Sequence, residues 1–240
     1  MKLDILAFGA HPDDVELGCG GSIALSVSQG KSVGIIDLTE GELGTRGSTI
    51  LRKEEAIKAA QILEVSFRDN LKFRDGFFQN NEDHQLEVIK KIRTYRPEII
   101  FCNAFHDRHI DHGKGNKLIN DACFLSGLSK IKTQNQIGKY QKEWRPKIIL
   151  EYIQWNDIEP NIIIDISGFL NKKIKAVTAF SSQFHNKNSK DKSTPISSLN
   201  FLESVSYRAK NFGRLIGTKA GEGFTSKQPL SIGDVTDLIR

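Results

Sequence analysis

The chain has 240 residues, 38% of them hydrophobic and 26% charged, which suits a water-soluble globular protein with room for one sizeable core. Its net charge of +5 is spread over short patches such as Lys172-Lys173 with Lys175. No basic run is interleaved with aromatics, so a small anionic substrate fits the excess and a nucleic-acid partner does not.

Residues 3–8 are an apolar run that reads as a buried strand. An acid, Asp4, stands at its start and no later apolar run is long enough to span a bilayer, so neither a signal peptide nor a membrane anchor is expected and the protein is expected to be cytoplasmic. Apolar and small residues recur at helical spacing over 15–29, Gly30 closes that helix, and 32–38 is a second buried strand. Strand, helix and strand in this order predict a right-handed βαβ unit. Cys19-Gly20-Gly21 resembles a dinucleotide fingerprint only loosely, and the carboxylates in the preceding turn would repel a pyrophosphate. A glycine-rich loop, 39–47, follows, then Ser48 as an N-cap and a helix over 51–63. This loop opens on the same sheet edge as the first turn, so Arg46 and Arg52 are either substrate contacts or solvated surface residues.

Further on, 65–67 is predicted as a short strand, 72–76 as a turn, 86–95 as a helix stopped by Pro97, and 98–103 as a strand. The next helix opens at Asp111 or His112 and runs to about residue 129. Residues 131–144 read as a loop, and 147–152 and 161–166 as strands. Ser167 is placed to cap a helix over 169–180. A polar loop over 181–193 and a long helix over 197–216 follow, with Phe201, Val205, Phe212 and Ile216 on one side. The tail with Gly221-Glu222-Gly223-Phe224 is expected to be a loop packed on the body. Without repeats or a linker, residues 1–240 read as one α/β domain with a mostly parallel sheet, its chemistry at the carboxyl ends of the strands.

Two short segments carry that chemistry. His11-Pro12-Asp13-Asp14 follows the first strand, and His106-Asp107-Arg108-His109-Ile110-Asp111-His112 follows the strand at 98–103. An isolated His-Pro-Asp would be no more than a hydrogen-bonded turn, since Asp favours turns and helix caps. Two acid-histidine clusters at strand ends of one α/β chain instead point to a metal centre, with His11, Asp14 and His112 as candidate ligands. Asp13 and Asp14 are adjacent and point apart, so one can ligate while the other faces the attacking water. A ligating His112 leaves His109 toward the substrate, where a charged imidazole would stabilise an oxyanion, and Asp111 can accept a hydrogen bond from one of the imidazoles. Glu16 suits the first helical turn. His84 and His185, in polar stretches, read as surface or loop residues, and His106 as a loop contact. The three cysteines, Cys19, Cys102 and Cys123, form no CxxC and read as buried apolar residues.

Ala10-His11-Pro12-Asp13-Asp14-Val15-Glu16 and His109-Ile110-Asp111-His112 together resemble the two motifs of the LmbE-like, or PIG-L, zinc N-deacetylases, with Ile110 in place of the usual proline. Within that family the chain is similar to the bacillithiol-biosynthesis enzymes that deacetylate N-acetylglucosaminyl-malate, through residues 37–47, 52–56, Ser181-Ser182-Gln183-Phe184 and Glu222-Gly223-Phe224. The resemblance implies a Rossmann-like sheet and one zinc ion per chain held by His11, Asp14 and His112. It also implies Asp13 as general base, His109 near the reacting carbonyl oriented by Asp111, and a homo-oligomer, often a hexamer. The malate carboxylates would need basic partners, for which Arg46, Arg52 and Arg108 are the candidates. Other N-acetylglucosamine-type substrates, such as a chito-oligosaccharide, a mycothiol-like precursor or a bacillithiol conjugate, are alternatives. A non-catalytic metal-dependent binding protein is a further one; it would close the metal with a fourth side chain.

Overall fold

Side-chain alternation in the first two strands sets the layering. β1 (Ile5–Gly9) sends Ile5 and Ala7 into one core and Leu6 and Phe8 into another, while β2 (Val33–Thr39) divides Val33 and Ile35 from Ile36 and Leu38 in the same way. Both strands are buried along their whole length, as expected for parallel strands covered on two faces. The computed structural model describes residues 1–187 and 189–238. In it, β1 and β2 belong to a sheet completed by β3 (Phe67–Phe73), β4 (Ile99–Asn103), β5 (Ile148–Tyr152), β6 (Ile162–Asp165) and β7 (Gly221–Thr225). The order is β3-β2-β1-β4-β5-β7-β6; the first five run parallel, and β7 is antiparallel to both β5 and β6.

Helices cover both faces. α3 (Glu82–Tyr95) and α4 (Ile110–Ser126) bury Val88, Ile89, Ile92, Leu118 and Ile119 against Leu6, Phe8 and Leu38. On the other face α1 (Asp14–Ser28) and α5 (Leu170–Thr178) pack Val15, Ile23 and Ala176 against Ile5, Ala7 and Ile35. α2 (Thr49–Leu63) lies against α5, and α6 (Leu199–Leu215) packs on β7 with Val205 and Phe212 inward. Among the described residues no helix is long and apolar enough to cross a membrane. The three cysteines are buried and unbridged, as their spacing predicts.

Most predicted elements appear within a few residues of their expected ends, and Ser48 caps α2 by accepting from the Leu51 amide. Four differ. The strand predicted at 65–67 is the seven-residue β3, which takes up the first part of the predicted turn at 72–76; it is a sheet edge in which Arg68, Asp69, Asn70 and Lys72 stand among the apolar residues and hide the strand pattern. The helix predicted from 86 starts at Glu82, capped by the Asn81 side chain. Ser167 caps nothing: its hydroxyl donates to Asp165 and accepts from the Lys219 and Ala220 amides, joining β6 to the entry of β7. The tail expected as a loop is β7 itself. The polar loop at 181–193 contains residue 188, which lies outside the described residues.

β7 also repairs a break in α1. Cys19 has non-helical angles (φ −142°), which frees the next amides along the helix. The buried Glu222 carboxylate accepts from Gly21 N (2.9 Å), Ser22 N (2.6 Å) and the Ser22 hydroxyl (2.6 Å), and pairs with the buried Lys173. On the near side of the break Gly18 admits the Tyr152 ring, whose hydroxyl donates to Phe8 O at 2.9 Å. α1 is thereby fixed to β1, β5 and β7 directly behind the first motif.

Candidate active site

In this strand order β1 and β4 are neighbours whose following helices leave on opposite faces, so a crevice opens beyond their carboxyl ends. Both motifs stand at its two lips. Asn103, the last residue of β4, accepts from Ala10 N (2.9 Å) and donates to Asp14 (3.1 Å), which ties one lip to the other.

Asp13 and Asp14 diverge as their adjacency requires. Asp13 is the N-cap residue of α1 at φ 122°, a region that side-chain-bearing residues rarely occupy. Its carboxylate turns toward Arg52, 3.2 Å away. Burial pushes this carboxyl up to about 7, against the pull of the Arg52 charge. Asp14 faces the histidines: one oxygen is 3.1 Å from His112 Nε2, the other 3.4 Å from His11 Nδ1 and 2.9 Å from the His11 amide. Gln154 Nε2 donates to it at 2.7 Å. Burial alone would raise Asp14, but the charges of His112 and His11 hold it well below the usual carboxylate range.

The far nitrogens of the two rings meet other carboxylates. His112 Nδ1 is 2.9 Å from Asp107, and His11 Nε2 is 3.1 Å from Asp75 and 3.4 Å from Asp111. Burial opposes charge on both imidazoles, yet the surrounding carboxylates win, raising His112 to about 9 and His11 well above its ordinary value. His11, His109 and His112 each present a nitrogen within 4.8 Å of the others, and His11, Asp75 and Asp111 form a second such group, so either trio is compact enough to hold a metal.

His109 caps α4, its Nδ1 accepting from the Asp111 amide at 3.3 Å. The Asp111 carboxylate was expected to orient His109. It turns instead to His11, the Gly76 amide (2.7 Å) and Lys114 (3.2 Å), because a side chain in the first turn of α4 points off the helix toward the β3–α3 loop. Burial and the charges of His11 and His112 push His109 below its usual value, and with Nδ1 used as acceptor its Nε2 is left for the cleft.

The three arginines occupy distinct positions around a cleft of about 420 Å³. Arg52 is buried, with Nη2 donating to Pro12 O (2.7 Å) and Asp13 (3.2 Å) and Nη1 to Gly41 O (3.2 Å); it braces the first motif rather than facing solvent. Arg46 is buried too, donating to Ser182 O (2.8 Å) and Ser189 Oγ (2.7 Å). Arg108 is exposed at the rim, stacked 4.4 Å over Trp155, whose other neighbour in the stack is Phe201. His106, exposed in the loop after β4, meets Asn156, whereas His84 lies in the first turn of α3, half-buried against Phe73. Asp75, Asp107, Asn103, Gln154 and Trp155 were not foreseen. Asp107 carried a usable signal, as a carboxylate inside the second histidine cluster; the others stand in stretches without a motif.

The PIG-L family profile, GlcNAc-PI de-N-acetylase, matches residues 6–123, the stretch that holds both motifs. The diacetylchitobiose deacetylase of Thermococcus kodakarensis is 27% identical over 190 residues, covering 75% of this chain and 70% of that protein. The 4-oxalmesaconate hydratase of Pseudomonas putida is 26% identical over 199 residues, 75% of this chain and 74% of the relative. The crystal structure of a conserved protein from Thermus thermophilus superposes with a TM-score of 0.86 at 31% identity, covering 97% of this chain and 98% of the other.

Proposed function

Because this chain belongs to the PIG-L family of de-N-acetylases, enzymes acting on N-acetyl amide bonds, we propose that it removes the acetyl group of N-acetylglucosaminyl-malate, as in bacillithiol biosynthesis, with one zinc ion per chain. The observation that carries this reading is that Asp14 meets both His112 (3.1 Å) and His11 (3.4 Å) at the switch point of the sheet, with Asp13 lining the same cleft. Two imidazoles and a carboxylate are a donor set that suits zinc, and the acids gathered around the two rings would neutralise a divalent cation. When bound, such an ion lowers the pKa of water and polarises a carbonyl.

The chain's own residues supply the rest. Asp13, held by Arg52, accepts a proton from the water that attacks the acetyl carbon. As the carbon–oxygen bond forms, the Nε2–H of His109 donates to the developing oxyanion. The carbon–nitrogen bond then breaks, the proton on Asp13 passes to the leaving nitrogen, and acetate and a free amine remain. Arg108 at the rim suits the carboxylates of an anionic aglycone, while Arg46 and Arg52 shape the cleft floor behind it.

The test is acetate release from N-acetylglucosaminyl-malate, measured with and without a chelator, beside a panel that includes diacetylchitobiose. The malate glycoside should have the highest kcat/KM, and chelation should abolish turnover. Diacetylchitobiose is the second reading, favoured by the Thermococcus relative; a higher kcat/KM on it would replace the malate glycoside. Asp13→Ala should retain the metal and lose about 10²–10⁴ in rate. Loss of metal in that variant, with retention in Asp14→Ala, would reverse the two roles.

A further inference from the structure

Each histidine that faces Asp14 has its other nitrogen occupied. His112 uses Nε2 toward Asp14 (3.1 Å) and Nδ1 toward Asp107 (2.9 Å). His11 does the reverse, with Nδ1 toward Asp14 (3.4 Å) and Nε2 toward Asp75 (3.1 Å), Asp111 standing further off at 3.4 Å. The two backing carboxylates come from separate loops and are anchored in turn. Asp107 accepts from its neighbour's amide, Arg108 N (2.7 Å), and from Asn156 N (3.2 Å). Asp75 accepts from Leu43 N (3.0 Å), and its own amide donates to Glu42 (2.7 Å), which joins it twice to the glycine-rich loop after β2.

From this we infer that Asp75 and Asp107 are positioning residues for the metal: each fixes the ring it backs so that the opposite nitrogen is presented toward Asp14. An imidazole whose N–H is held by a carboxylate cannot rotate or exchange tautomers without breaking that bond, and its free nitrogen becomes more basic. The inference rests on the metal reading of the site. It adds that metal affinity depends on two loops that contribute no ligand, and that the β2–α2 loop reaches the metal through Asp75.

Zinc affinity of the full-length chain, measured by competition with a chromophoric chelator, tests this, together with the visible spectrum of the cobalt-substituted protein. Asp75→Ala and Asp107→Ala should each weaken zinc binding about 10–100-fold and alter the cobalt bands. Asp75→Asn and Asp107→Asn, which keep the shape and can still accept the ring N–H, should recover part of the loss, while Asp14→Ala should abolish binding. Thermal melts of the metal-free variants identify a merely unfolded protein, and the near-isosteric Asn forms carry the test if an Ala form does not fold. Affinities within twofold of wild type in both Ala variants overturn the inference and leave the metal reading intact. Complete loss in Asp75→Ala, equal to that of Asp14→Ala, also overturns it, by making Asp75 a ligand. A wild-type chain that binds no zinc removes the metal reading and the inference with it.

Discussion

Asp13 is held in a backbone conformation that a residue with a side chain adopts only when its surroundings over-determine it, at a cost of about 1–3 kcal/mol. The bracing is visible in Arg52, which grips the Pro12 carbonyl and the Asp13 carboxylate together. Strain here accompanies the turn that sets the Asp13 carboxylate on Arg52 while Asp14 faces the histidines. Both Asp13→Gly and Asp13→Ala lose the carboxylate, but only glycine takes the turn without penalty. Asp13→Gly should therefore be more stable than Asp13→Ala by about 1–3 kcal/mol in denaturant unfolding, while both lose about 10²–10⁴ in rate. At this scale the two motifs were legible because their chemistry is dense in sequence: histidines and carboxylates a few residues apart after a strand. Asp75, Asn103 and Gln154 were not, since each is a single polar residue whose partner is chosen by tertiary contact. Nothing adjacent to Asp75 in sequence announces that it lies against His11.

Elements pass these residue choices on. α1 approaches β5 closely enough that a Cβ on Gly18 would sit 2.1 Å from the Tyr152 ring. Gly18→Ala should therefore cost about 1–3 kcal/mol by overpacking, read from the unfolding midpoint, and it should disturb the first motif because Tyr152 also holds Phe8. From Phe184 in the core, Phe201 and Trp155 continue a run of stacked rings that reaches the cleft and ends under Arg108. Trp155→Leu should raise KM for an anionic glycoside while leaving KM for an uncharged N-acetylglucosamine glycoside little changed; equal effects on both would remove the arginine from substrate selection. The apolar strands β1, β2, β4 and β5 declare themselves in sequence through buried runs. β3 and β7 do not, for different reasons: β3 is a polar edge, and in β7 two glycines dilute the pattern while Glu222 points inward to a helix break that no sequence pattern marks.

At the level of the whole molecule, the site draws on the β1–α1, β3–α3 and β4–α4 connections, so a bound ion links segments far apart in the chain. Zinc at about a hundred times its Kd should raise stability by about 2.7 kcal/mol, visible as a higher Tm that a chelator removes and that His112→Ala lacks. The sheet order has a further consequence. β7 lies between β5 and β6, though it is later in the chain than either. Until a ribosome has translated past residue 225, β6 has no hydrogen-bonded neighbour, β5 keeps one open edge, and the broken helix behind the first motif waits for Glu222. A nascent chain arrested after α5 should thus be protease-sensitive around α1 and β6, and protection should arrive in one step once this late strand emerges.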